Sequence, residues 1–292
     1  MNRSTSLSGK IFDVCNVIFL IFTAIVTLYP FWYVLVGSIL PYEESLRSPF
    51  HLFPRKVTWE AYSYVFSKDT LLRSMLVSVF VTAAGTIYQL LITAITAYPL
   101  IKTDLPGRTF ILLFIVFTMF FGGGLIPYYL LIKNLGLVNN LLVMIIPAAV
   151  NTYNMIVLKT FFQSLPADLE ESAKVDGAGY MRIFFQIILP LSIPALATIG
   201  LFIAVGQWNN WFTPMLFLNE KSLWPLAMVL RDILINNNLE LARSGSYVNK
   251  EFMLADTIKN AIVMVSVIPI IIVYPFVQKH FVKGVMIGSI KS

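Results

Sequence analysis

Asp168, Glu170, Glu171, Lys174 and Asp176 fall within nine residues, inside a stretch, Leu165–Leu196, that long uncharged runs flank on both sides. Ser164 suits a helix N-cap there, Pro166 its first turn, and the acids lie near the positive end of its dipole. Gly177 and Gly179 can end that helix, because glycine takes the left-handed cap conformation cheaply. A second, apolar helix is expected from near Tyr180. From composition alone such a run reads equally as a solvated loop between two membrane spans.

Catalytic chemistry finds no support elsewhere in the chain. Ser8-Gly9-Lys10-Ile11 lacks the leading glycine spacing and the final Ser/Thr of a phosphate-binding loop. There is no H-E-x-x-H, C-x-x-C or G-x-S-x-G. His51 and His280 are far apart and show no metal-ligand spacing, so no metal site is expected. No catalytic residue is assigned, and energy must come from a partner or an ion gradient. Asp, Glu, Lys, Arg and His are absent from the middle of every apolar run, which argues against a proton-driven carrier. A sodium site built from carbonyls and amides stays open.

Polar residues inside apolar runs are the other candidates, since each is costly in hydrocarbon unless it meets a partner or a wet cavity. Asn151, Tyr153 and Asn154 lie midway along one run, with Asn151, Asn154 and Leu158 on one helical face. They suit either hydrogen bonds between helices or the lining of a solute path. Tyr88, Gln89 and Thr93 carry the same two readings, with packing favoured. Trp208, Asn209 and Trp211 belong to an aromatic-amide cluster, Gln207–Trp211. Indole faces stack on sugar C–H faces and amides both donate to and accept from hydroxyls. An interfacial aromatic belt would look the same.

These residues must be held by membrane helices. Of 292 residues 58% are hydrophobic and 12% charged, against about 25% charged in a soluble domain. The formal charge of +6 fits anionic lipid and is weak support for an acidic solute. No basic cluster alternates with aromatics, so nucleic acid is not a partner. Cys15 is the single cysteine, which excludes an internal disulfide; its apolar surroundings predict an inert buried thiol. The first apolar run is too long for a cleaved signal and reads as a retained span.

Charge-free runs predict an all-α integral membrane protein, a single transmembrane domain over 1–292, with six spans near 14–40, 74–101, 109–132, 139–159, 183–207 and 259–279. Pro30 is expected to kink the first. Gly122-Gly123-Gly124 with Pro127 makes a straight third span improbable, either as a gating break or for close packing, and packing is the commoner cause. Two outer segments, near 41–70 and 207–256, exceed simple turns, and Leu223–Leu230 is too short to span and is expected to dip back. An even span count puts both termini on one side. Positive charges divide almost evenly, so the positive-inside rule only weakly favours the cytoplasm.

The fixed offsets then add a resemblance. Glu171-Ser172-Ala173, three residues, Gly177, nine residues, then Ile187, Leu189 and Pro190 resemble the EAA loop of ATP-binding-cassette importer permeases. Asp176-Gly177-Ala178 matches too, while Ser172 replaces the middle alanine with another small residue. From Asp13 to the C-terminus the chain resembles the carbohydrate-uptake, MalG-like branch of type I importers, and GGGLIPYYLLIKNLGL, NMIVLKTFFQSLP and FVKGVMIGSIKS look closest to its polysaccharide and complex-oligosaccharide members. The resemblance implies a cytoplasmic coupling helix between spans four and five, in a loop at 162–182. It would dock on the ATPase through Glu170, Glu171, Ser172, Ala173, Asp176 and Gly177, with Leu189 and Pro190 shaping the exit. It further implies a second homologous permease subunit, two cytoplasmic ATPases carrying ATP and Mg2+, an extracytoplasmic solute-binding protein and a sugar in a bacterial membrane. This chain itself would bind no cofactor. The tail Gly284–Ser292 could enter the ATPase interface. An importer permease for a non-sugar solute, an ion-coupled carrier and a non-transporting scaffold or receptor are the alternatives.

Overall fold

A computed structural model describes residues 7–41, 44, 52–67, 69–244, 256–273 and 275, with side chains left out for 7–8 and 236–244. Every regular element among them is helical. The chain divides into two compact units, Met1–Lys68 with Asp232–Val267, and Asp69–Arg231 with Ile268–Ser292.

In the first unit α1 runs Leu7–Ile39 and α2 runs Glu60–Ser67. The kink expected at Pro30 does not interrupt α1, whose helix is continuous past it. Most of α1 is exposed on all sides, including Cys15, which is therefore not the buried thiol expected. Only its end is covered: Val36 on its last turn and Leu40 just past it are buried, and the Ser38 hydroxyl shares a 2.8 Å hydrogen bond with Tyr62. Gly37 lets Asn260 approach, since a Cβ there would lie 2.5 Å from the Asn260 amide nitrogen. Asn260 sits on the last described helix, Asp256–Val273, here called α12.

The second unit is built on α3, Asp69–Ala97, continued by a 3-10 turn at Pro99–Ile101. After it come α4 (Arg108–Phe120), α5 (Leu125–Asn134), a 3-10 turn at Leu141–Met144 and α6 (Thr152–Gln163). The charged helix α7 covers Ala167–Val175, followed by α8 (Tyr180–Leu191), α9 (Ile193–Trp208) and α10 (Phe212–Phe217). Lastly α11, Leu226–Ser244, leaves this unit after Arg231. Helix α3 packs along α9 and α6, giving a core that includes Ala97, Tyr98, Leu158, Phe162, Ile183, Phe184 and Ile203. A second cluster joins Val81, Ile132, Val143, Met144, Phe217 and Leu218.

Three expected spans are not straight helices. The third bends by 113° between α4 and α5. Gly122 and Gly123 have no atom of the described chain within 4 Å of an added Cβ, so packing within this chain does not require glycine there. Gly124 takes φ 84° and ψ 167°, a conformation essentially closed to side chains, and it breaks the helix. The fourth, expected over 139–159, has no helix between Met144 and Thr152, where Pro147 supplies no N–H. Asn151 is therefore the cap of α6, not a member of its face. The fifth turns by 80° between α8 and α9, with Pro190 and Pro194 on either side of Ser192, after a π-helical turn at Phe184–Ile188. Among the described residues three helices can cross a membrane by length and apolarity, or five counting each bent pair as one. The sixth expected span, to 279, extends beyond the described residues.

Non-helical backbone at membrane depth needs internal partners, and the α3–α9 seam supplies one. Buried Gln207 on α9 donates from Nε2 to the Met144 carbonyl at 3.0 Å. Gly85 on α3 makes room, since a Cβ would stand 2.9 Å from that Nε2 and 3.2 Å from Cδ. Gly85→Ala is therefore expected to push Gln207 off Met144 and destabilise the protein by about 1–3 kcal/mol, the cost of orphaning a buried acceptor. Thermal melting in detergent measures this, and an unchanged melting temperature would show that the seam repacks freely.

Candidate functional site

The charged helix α7 is short and nearly all of it is wet. Ser164, expected to cap it, instead ends α6 and donates its hydroxyl back to the Phe161 carbonyl at 2.7 Å. Pro166 takes the N-cap position without a side-chain cap. At the other end Gly177 has φ 80° and donates to the Lys174 carbonyl at 3.0 Å, while Ala178 donates to Ala173 at 2.9 Å. This pair of bonds is the Schellman cap that a left-handed glycine permits. Gly179 does not end α7; extended, it caps α8.

One side of α7 is tied down. Ala173 is buried in the core, and Glu170, one turn earlier, points the same way. Its carboxylate pairs with Lys102, just past α3, and lies 3.2 Å from Lys174 on α7 itself. Lys102 also stands 4.4 Å above the Tyr98 ring, and Lys174 stands 5.1 Å from Tyr180. Burial pushes the Glu170 carboxyl up, but the hydrogen bonds and charges of the two lysines outweigh it and hold it below the ordinary carboxylate range. In return the Glu170 carboxylate raises Lys174.

The opposite side is open. Asp168, Glu171, Ser172 and Val175 share an exposed face at helical spacing, with Val175 88% exposed, and Asp176 follows on the surface. Glu171 and Glu170, adjacent in sequence, are thus split between a free surface and an internal ion pair. Beside them a cleft of about 480 Å³ is lined by Lys102, Asp104, Gln163, Glu170, Glu171 and Lys174. Leu189 and Pro190 lie on α8, where Leu189 packs against the core and Pro190 opens the bend before α9. Lys102 was not among the sequence candidates; 68 residues separate it from Glu170, and no local pattern connects them.

The solute-path candidates separate by environment. Asn151 accepts a hydrogen bond from Asn154 N–H at 3.0 Å and caps α6, so its side chain already has a backbone role. Asn154 is buried, whereas Tyr153 is 60% exposed. Gln89 and Thr93 are buried on α3, in keeping with packing. Trp208 is half-buried at the end of α9, and Asn209 donates to the Val205 carbonyl at 2.9 Å. Trp211 is exposed and carries the Arg231 guanidinium 4.4 Å above its ring.

A third polar cluster lies outside the sequence candidates. Asn139 takes φ 59°, and its N–H donates to the Phe217 carbonyl at 2.7 Å. Its Oδ1 accepts from Asn219 and Glu220 N–H at 3.2 and 3.1 Å, and its Nδ2 donates to Glu220 Oε1 at 2.7 Å. Trp224 Nε1 donates to the Leu218 carbonyl at 2.8 Å, and Leu226 N–H to Ser78 on α3 at 2.7 Å. These bonds fasten the segment after α10 to the turn after α5. Among the described residues no His, Cys, Asp and Glu group could hold a metal ion.

Comparison with known proteins agrees over nearly the whole chain. Residues 75–287 match the family model described as binding-protein-dependent transport system inner membrane component. Protein LplC of Bacillus subtilis is 45% identical over 285 residues, covering 98% of this chain and 96% of that protein. The polygalacturonan/rhamnogalacturonan transport system permease protein YtcP of the same organism is 42% identical, covering 98% and 100%. A chain from the crystal structure of a bacterial ABC transporter involved in import of the acidic polysaccharide alginate superposes with a TM-score of 0.86 at 33% identity, over 96% of this chain and 100% of that one. With the family model spanning most of its length and full-length relatives above 40% identity, this chain belongs to the inner membrane components of binding-protein-dependent transport systems.

Proposed function

We propose that this chain is the sugar-path permease subunit of an ATP-driven importer for oligosaccharides or polysaccharide fragments. It works beside a second, similar permease, two cytoplasmic ATPases that hold ATP and Mg2+, and an extracytoplasmic solute-binding protein. The carrying observation is the end-to-end similarity to permeases whose names specify glycans. The exposed face of α7 supports docking on an ATPase, with Glu171, Ser172, Val175 and Asp176 as contacts and Gly177 setting the helix end. Glu170 and Ala173, facing inward, act by holding α7 and not by touching the partner. On this reading α7 lies on the cytoplasmic side, as do both termini; the tail Gly284–Ser292 lies outside the described residues.

Within that function, acidic glycans are the favoured cargo. Alginate and polygalacturonan, named for two of the relatives, are polyuronates. Arg231 held against the exposed Trp211 offers a cation beside a stacking face, which suits a uronate ring. Tyr153, Trp208 and Asn209 are the further candidates for contact with the sugar.

The test is ATPase activity of the reconstituted complex, with neutral and acidic oligosaccharides each presented with the binding protein. Stimulation by acidic chains alone is expected. Stimulation by neutral chains alone would overturn the acidic assignment, and a flat response from an assembled complex would overturn the sugar assignment.

A further inference from the structure

We propose that Glu170, through its ion pair with Lys102, is a positioning residue that carries movement of α7 into α3. The inference rests on the reading of α7 as the helix that meets the ATPase.

Mechanical need comes first. Helix α7 has nine residues and buries one apolar side chain, Ala173, in the core. A single methyl group resists little sideways force, so a short helix held that way would slide across the body it is meant to push. Glu170 supplies a second attachment one turn away on the same side. The side chains of Lys102 and Glu170 are only 16% and 13% exposed, which shields the pair from water and salt.

The far end of the pair is anchored. Lys102 ends the 3-10 turn that continues α3, its N–H donating to the Pro99 carbonyl at 3.0 Å. Arg108 Nε donates to the Leu100 carbonyl at 2.8 Å, closing the loop that follows. The Lys102 ammonium lies over Tyr98, whose own ring is 5.1 Å from Phe184 in the π-helical turn of α8. Helix α3 in turn packs along α9. A push on α7 therefore enters the bundle by two covalent routes, through Leu165 and Pro166 into α6 and through the Gly177 cap into α8, and by one route across space, from Glu170 to Lys102 directly into α3. With all three intact α7, α3 and α8 move as one body.

The experiment uses the complete reconstituted transporter with its binding protein. It compares Lys102→Glu, Glu170→Lys, the double exchange, and the milder Glu170→Gln. Three quantities are read: ATPase subunit retained on purification, ATP hydrolysed, and sugar taken up per ATP. Each single reversal is expected to lower uptake per ATP about tenfold, within the usual range of coupling between sites, with the ATPase still retained. The double exchange should recover most of it and Glu170→Gln should fall between. Because the ratio is taken per ATP on assembled complex, a lower yield does not imitate the effect.

An unchanged ratio in Glu170→Gln and in the reversals would overturn the proposal, as would a double exchange that assembles without recovering the ratio. Failure of the unaltered chain to retain any ATPase would overturn the reading of α7 instead, and so is told apart.

Discussion

Replacing Gly177 by valine is expected to cut sugar uptake at least tenfold while the transporter stays assembled. At φ 80° an L residue costs about 1–2 kcal/mol, and a β-branched one more. No atom of this chain lies within 4 Å of where the Cβ would stand, so the loss is not a clash within it. It is a backbone effect. Valine shifts the residue out of the left-handed region and opens the bonds from Gly177 to Lys174 and from Ala178 to Ala173. Helix α7 then leaves α8 at another angle, with its docking face intact but misaimed. The diagnostic is a graded series: Gly177→Asn, which tolerates this region, should retain most uptake, alanine less and valine least. Uptake in proteoliposomes measures it. Normal uptake by the valine variant, or failure to assemble at all, would refute the account.

The second large effect is expected at Asn139. Asn139→Ala removes three side-chain hydrogen bonds and leaves an alanine at φ 59°. At a net 0.5–1.5 kcal/mol per bond, with exposed bonds at the low end, the loss is about 1.5–2 kcal/mol, plus about 1 kcal/mol for the backbone. Asn139→Gly relieves the backbone without restoring the bonds and should lie between alanine and the original. Asn139→Asp keeps the acceptor but sets a carboxylate against Glu220. Thermal melting in detergent reads all three. If alanine and glycine melt together, the left-handed backbone is not contributing and only the bonds matter.

Legibility in the sequence followed distance along the chain. The offsets from Glu171 to Pro190 lie within twenty residues, so the helix, its glycine end and the apolar helix beyond were readable, and Gly177 adopts the expected conformation. Local reading misled where two local choices competed. Ser164 can start one helix or end another, and it ends α6 because the chain before it is already helical. Asn151 seemed a face residue because the run around it is apolar, yet Pro147 denies that run a continuous helix. Pairings across long separations left no trace: Lys102 with Glu170, Asn139 with Glu220, Gln207 with Met144. Each joins a residue to a partner chosen by the fold, and nothing in the spacing of either names the other.

The bare length of α1 has a consequence for the lipid. From Gly9 to Ile39 it has 31 residues, and no part of its most apolar window is covered by the rest of the described chain. At 1.5 Å per residue it reaches about 46 Å, against a hydrocarbon core of about 30 Å. Lys10 and Asp13 near its start belong outside that core, and the uncharged part, Val14–Ile39, still reaches about 39 Å. The excess is taken up by tilt, by a thicker bilayer around it or by ends that reach into the headgroups, at a small cost for every ångström of mismatch. Acyl-chain length therefore bears on how α1 sits in the bilayer.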